Sequence, residues 1–127
     1  MIIADTDVLI DYLMDRRPAA DKIAEYRSSE SLQTTAISCF ELLSGAREGR
    51  RSERARQLIA SLPVLALDRE AAASAAAVRQ GLEGTGNPIG MADSLIAGIA
   101  LVNDLPLLTR NRKHFGRIEG LSLLAVD

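Results

Sequence analysis

Met1-Ile2-Ile3-Ala4-Asp5-Thr6-Asp7-Val8-Leu9-Ile10 is the stretch that decides the fold of this chain. Ile2, Ile3 and Ala4 are apolar without alternation, the pattern of a strand covered on both faces, and such strands belong to parallel sheets flanked by helices. The run stops at a carboxylate. Val8, Leu9, Tyr12 and Leu13 then recur at helical spacing, and Arg16-Arg17-Pro18 closes that helix. A buried strand that hands an acid to the start of a helix describes the edge at which open parallel sheets bind ligands.

The remaining chain repeats this plan. Short apolar strands are expected over residues 32–37, 63–67, 105–109 and 121–126, with helices between them. Residues 19–29 read as an amphipathic helix, Ser38 opens another that a further helix over 54–62 follows, and 91–101 is apolar enough to be largely buried. Asp68 is a natural N-cap for the Ala-rich helix over 71–77, which Gly81, Gly84, Gly86 and Pro88 are expected to end. Strands alternating with helices imply crossovers and parallel pairing, hence an α/β sandwich, and 127 residues without a linker imply one domain over 1–127.

Composition narrows the function. A hydrophobic share of 47% excludes disorder, and a net charge of -2 excludes a globally basic nucleic-acid binder, so any such surface must be local. One Cys and one His cannot by themselves make a zinc site or a disulfide framework. No apolar run reaches the roughly 20 residues of a membrane helix, and the N-terminal residues lack a basic n-region, which points to the cytoplasm.

Three acids stand where a site would be. Asp5 ends the first strand, Glu41 lies early in the helix after the second, and Asp93 opens an apolar helix. Each has a bland reading: Asp5 or Asp7 as a cap, Ser38-Cys39-Phe40-Glu41 as a capping box, Asp93 as a dipole partner. Capping does not require acids to follow strand ends in this order, so the joint pattern favours a pocket. Carboxylates that close need a cation, and oxygen ligands suit Mg²⁺ or Mn²⁺. Thr109-Arg110-Asn111 follows another strand and adds polar groups at the same edge, Asn111 also serving as an N-cap for the residues after it. His114 reads as structural rather than as a general base. Arg110, Arg112, Lys113 and Arg117 form an acid-free basic stretch, and a second, diluted one runs from Arg47 to Arg56; such patches beside an acidic pocket suit phosphodiesters.

Asp5-Thr6-Asp7-Val8-Leu9-Ile10, Ile37-Ser38-x-x-Glu41-Leu42-x-x-Gly45, Ala92-Asp93-x-x-Ile96-Ala97 and Thr109-Arg110-Asn111-x-x-x-Phe115 together resemble the PIN-domain ribonucleases, and in length and motif order the VapC-type toxins of bacterial toxin–antitoxin pairs. The resemblance implies a three-layer, Rossmann-like α/β/α sandwich and a Mg²⁺- or Mn²⁺-dependent endoribonuclease that hydrolyses RNA by metal-activated water. It implies Asp5, Glu41 and Asp93 as the catalytic, metal-holding acids, with Asn111 at a fourth position that is often Asp. Thr6, Asp7 and Thr109 would orient ligands or water, and Arg110, Arg112 and Lys113 would hold the RNA backbone. A homodimer and a small antitoxin whose tail covers the groove complete the implied picture.

Two alternatives use the same residues. Asp5-Thr6-Asp7-Val8 also matches part of the opening signature of haloacid-dehalogenase-type phosphatases, where Asp5 would be the nucleophile. That chemistry needs a later Lys and a late acid pair, and only Lys22 and Lys113 are present with no adjacent acids after Asp93. The other alternative is a PIN domain that has lost activity and serves only for interaction, for which Asn111 is the one hint.

Overall fold

The computed structural model describes Met1–Asp127. Its five strands, β1 (Ile2–Ala4), β2 (Leu32–Thr35), β3 (Val64–Leu65), β4 (Leu107–Leu108) and β5 (Leu123–Leu124), form one parallel sheet in the order β3-β2-β1-β4-β5. Registers such as Ile3 opposite both Gln33 and Leu107 put β1 at the centre. From there the chain builds outward on one side, then returns to build on the other. The reversal falls between β1 and β4, the switch point at which open parallel sheets bind ligands beyond the carboxyl ends of their strands.

Alternation along the central strands divides the core in two. Ile2, Ala4 and Leu108 face helices α1 (Thr6–Leu13), α2 (Ala19–Ser28), α3 (Ala36–Gly45) and α4 (Gly49–Ala60), where Val8, Leu9, Ile23, Leu42 and Leu58 complete one apolar cluster. Ile3 and Leu107 face the other way, onto Ile96, Ala97 and Ala100 of α6 (Met91–Asn103), Leu82 of α5 (Arg69–Gly84) and Phe115 of α7 (Arg112–Phe115). Helices therefore cover both faces, giving the three-layer α/β/α sandwich. No helix is long and apolar enough to cross a membrane.

Local departures from the sequence reading have physical causes. The Ala-rich helix does not stop at Gly81 but runs to Gly84. An interior Gly costs only about 1 kcal/mol, less than the packing of α5 on α6 returns. That packing is close: a Cβ on Gly98 of α6 would lie 2.5 Å from the Ala71 carbonyl oxygen and 2.7 Å from Ala75 Cβ. Small residues on both helices are what allow it. Asp68 caps α5 by accepting from Ala71 N at 2.9 Å. The helix after β2 opens at Thr35 rather than Ser38: Thr35 Oγ1 accepts from Ser38 N at 3.1 Å, so Ser38-x-x-Glu41 is not a capping box. Released from that duty, Glu41 lies more than one turn inside α3.

Candidate active site

Asp5 is the hinge of the site. It leaves β1 in extended conformation and caps α1, Oδ1 accepting from Thr6 N at 2.8 Å, while Oδ2 accepts from Thr109 Oγ1 at 2.7 Å. Thr109 follows β4, the strand beside β1, so this bond closes the edge of the sheet at its switch point. Asp5 is buried, and burial, followed by the neighbouring Asp7 charge, raises its pKa from 3.8 to about 7; the Thr109 and Thr6 hydrogen bonds pull in the opposite direction and Asp93 adds a further upward push.

Asp7 stands in the first turn of α1. Its Oδ2 accepts from the Arg110 backbone N at 3.1 Å, while its Oδ1 is buried with no hydrogen-bond partner. Burial raises its pKa too, against the pull of Arg110. A buried carboxylate oxygen left unpaired beside a second carboxylate is an electrostatic deficit that a cation would relieve.

Glu41 reaches the same region from α3. Its Oε1 lies 2.6 Å from Thr6 Oγ1, which in turn lies 2.8 Å from Ser38 Oγ. Thr6 has one proton, so it donates to the carboxylate and accepts from Ser38. Asp93, in the first turn of α6, has Oδ2 2.9 Å from His114 Nδ1. Asn111 caps α7, with Oδ1 accepting from His114 N at 3.4 Å and Nδ2 standing 3.0 Å from the same ring nitrogen. Thr109 Oγ1 accepts from Asn111 N at 3.0 Å, which ties Asn111 back to Asp5.

No three Asp, Glu, His or Cys side chains stand close enough together to share an ion in this arrangement. Each outer acid is held by a neighbour instead, Glu41 by Thr6 and Asp93 by His114. The donor chemistry nevertheless fits a hard divalent ion. It is all oxygen and carries excess negative charge, with the Asp7 Oδ1 atom lacking any partner.

Of the basic residues, Arg110 is the one whose position the sequence does not convey. Its guanidinium grips buried Asp11 through Nε at 2.6 Å and Nη2 at 3.3 Å, a contact that raises its already high pKa. Its remaining N–H groups are all it offers to a substrate. Arg112 and Lys113 are exposed on α7, directly after Asn111. Two residues escape the sequence reading. Asp11 is an acid on the apolar stripe of α1, four positions after Asp7, and that placement is its only signal. His114 reads as merely structural in the sequence, yet it is in direct contact with Asp93.

Comparisons with known proteins identify the family of this fold. The family model described as PIN domain matches residues 2–121. The chain is 36% identical over 121 residues to "Ribonuclease VapC10" of Mycobacterium tuberculosis, covering 95% of this chain and 90% of that protein. It is 28% identical to "tRNA(fMet)-specific endonuclease VapC" of Shigella flexneri, over 92% of this chain and 91% of that one. Among solved structures, DNA-bound VapBC from Salmonella typhimurium superposes with a TM-score of 0.85 at 28% identity, over the whole of both chains.

Proposed function

The chain belongs to the PIN-domain family, and on that premise we propose that residues 1–127 form one PIN domain acting as a VapC-type endoribonuclease toxin in the cytoplasm. The observation that carries the reading is the buried Asp7 Oδ1 with no partner beside Asp5, at the sheet edge to which Glu41 and Asp93 also belong through Thr6 and α6. Asp5, Glu41 and Asp93 would hold Mg²⁺ or Mn²⁺, with Asn111 offering a neutral carbonyl oxygen at the fourth position. When bound, such an ion lowers the pKa of a water and offsets the charge on a phosphodiester.

The chain's own residues do the rest. Thr109 and Thr6 fix the Asp5 and Glu41 carboxylates by short hydrogen bonds, which orient them while leaving further lone pairs for an ion. Asp7 adds negative charge beside Asp5. Arg112 and Lys113 hold RNA phosphates; Arg110 contributes less to binding, because Asp11 occupies the edge of its guanidinium. With 3% aromatic residues, base stacking is a minor part of recognition, and phosphate contacts dominate.

An antitoxin partner fits the surface. A groove of about 250 Å³ lined by Ile10, Leu13, Met14 and Leu42 runs between α1, α3 and α4, with Arg16 and Arg51 at its rim and Glu41 in its wall. An apolar, partly acidic antitoxin segment seated there would reach Glu41, one of the proposed catalytic acids. Phe40 and Met91, 70% and 64% exposed on α3 and α6, are apolar surface suited to a homodimer.

The test is incubation of the purified protein, free of antitoxin, with total cellular RNA and Mg²⁺ or Mn²⁺. Discrete fragments that vanish with EDTA and with Asp93→Asn establish the reading. Phosphate release from an aryl phosphate without RNA cleavage would favour the phosphatase alternative. Silence in both assays, with no binding of Mn²⁺, would favour a domain that has lost its site.

A further inference from the structure

His114 is the only histidine of the chain, and it sits where two candidate ligands meet. A single ring nitrogen, Nδ1, lies 2.9 Å from Asp93 Oδ2 and 3.0 Å from Asn111 Nδ2. These two contacts cannot both be hydrogen bonds. An ionised carboxylate only accepts, and an amide nitrogen only donates. If Nδ1 carries the proton it donates to Asp93; if the proton sits on Nε2, Nδ1 accepts from Asn111 and faces Asp93 with a lone pair.

The amide of Asn111 is not at liberty to turn over, because its Oδ1 caps α7 by accepting from His114 N. The choice therefore falls to the ring. A hydrogen bond to a charged acceptor is roughly twice as strong as one between neutral groups, and the alternative leaves a lone pair against a carboxylate. Both effects select Nδ1–H.

On these grounds we infer that His114 is a positioning residue: its Nδ1–H clamps Asp93 Oδ2, leaving Oδ1 as the oxygen that would be available to a divalent ion. The inference rests on the metal-nuclease reading above and extends it to a residue outside the four acidic positions. Three features make the clamp firm. His114 follows Asn111 within the one turn of α7, whose next residue, Phe115, is fully buried in the core. Asn111 N is tied to Thr109 Oγ1, and Thr109 to Asp5. The ring is therefore carried on a backbone anchored at the same sheet edge as the first acid, while Asp93 arrives on a different helix. His114 bridges the two halves of the site across 21 positions of sequence.

The experiment has two arms. In the first, ¹⁵N NMR of the lone imidazole is recorded on the metal-free wild type at a pH of about 8.5, where a free imidazole is neutral. The Nδ1–H tautomer is expected, and Asp93→Asn should shift the ring toward Nε2–H; an Nε2–H tautomer in the wild type overturns the inference. In the second, Mn²⁺ alone is titrated calorimetrically into wild type, His114→Ala and His114→Asn. Loss of the outer partner of a ligand typically weakens metal binding by about 10- to 100-fold, and that loss is expected for His114→Ala. His114→Asn places an amide N–H near the position of Nδ1 and should recover most of the affinity, which a merely space-filling role would not require. Equal Mn²⁺ affinity in wild type and His114→Ala overturns the inference while leaving the nuclease reading intact. Failure of the wild type itself to bind Mn²⁺ overturns the nuclease reading, and this inference with it.

Discussion

Thr109 Oγ1 donates to Asp5 Oδ2 at 2.7 Å, a bond between two buried side chains 104 positions apart. It exists because β1 and β4 are parallel neighbours that end together, Ala4 opposite Leu108. The hydroxyl lowers the cost of ionising Asp5 but does not cancel what burial and Asp7 impose. Thr109→Val keeps the shape and removes the donor, so it should raise the Asp5 pKa further and weaken Mn²⁺ binding while the fold persists. Unchanged Mn²⁺ affinity in calorimetry would show that Asp5 does not depend on this bond.

The pH dependence of stability follows from the same group. Asp5 titrates at 3.8 when unfolded and at about 7 when folded, so the folded state binds the proton more tightly. Its contribution is fully present below the unfolded value and is lost as pH rises through about 7. A rise of that size corresponds to about 4 kcal/mol at the upper limit. With EDTA present, wild type should therefore lose stability relative to Asp5→Asn as pH rises from about 4 to about 7. Mg²⁺ should diminish the loss. Denaturant unfolding of both proteins across that window checks this, and parallel profiles would contradict it.

Asp93→Asn separates site from scaffold. Asp93 is half-buried in the first turn of α6 and makes no capping hydrogen bond there, so Asn loses only a favourable interaction with the helix dipole, about 0.3–1 kcal/mol, and metal-free stability should change little. Losing the charge of a ligand should cost RNA cleavage more than the roughly 10- to 100-fold typical of outer partners. Full cleavage by a folded Asp93→Asn protein would remove Asp93 from the site.

Arg110 and Asp11 are unequal partners. Asp11 is 6% exposed at its side chain and Arg110 49% exposed, so removing either one has different consequences. Asp11→Leu returns a half-exposed guanidinium to water and should cost about 1 kcal/mol, the scale of one net hydrogen bond. Arg110→Met leaves a buried carboxylate with only Arg16 at 3.9 Å, and should cost about 3–5 kcal/mol. Urea unfolding measures both, and the reverse order would mean that Asp11 is hydrated.

How far the sequence could be read depended on how local each determinant is. The uninterrupted run Ile2-Ile3-Ala4 and the acid after it are local signals, and they locate both the central strand and Asp5. The alternate facing of Ile3 and Ala4 onto two separate cores follows from the pleat alone. The helix opening at Thr35 is different: Ser38 and Thr35 are both good caps, and which one acts is set by the hydrogen bonds of buried β2. Asp11 with Arg110 and Asp93 with His114 are pairs across 99 and 21 positions, created only when α1, α6 and the segment after β4 meet at one edge. Residue type announces that Asp93 belongs to a site. It does not announce which neighbour holds it.

Gly98 tests the packing of α5 on α6, and Gly81 of α5 is its control. Both lie within helices, where Gly→Ala alone should stabilise by up to about 1 kcal/mol. A Cβ at Gly81 meets nothing within 4 Å, so Gly81→Ala should show that gain as a rise in melting temperature. A Cβ at Gly98 would meet the Ala71 carbonyl oxygen at 2.5 Å and Ala75 N at 2.7 Å, both backbone atoms that no rotamer change can move. Overpacking of this kind costs about 1–3 kcal/mol, occasionally more, which outweighs the propensity gain. Gly98→Ala should therefore lower the melting temperature. Adding Ala75→Gly removes the Cβ contact at 2.7 Å but neither backbone contact, so it should give at most partial relief. A Gly98→Ala protein that melts higher than wild type would show that the two helices separate at little cost, and that their close approach does not hold α6, and Asp93 with it, in place.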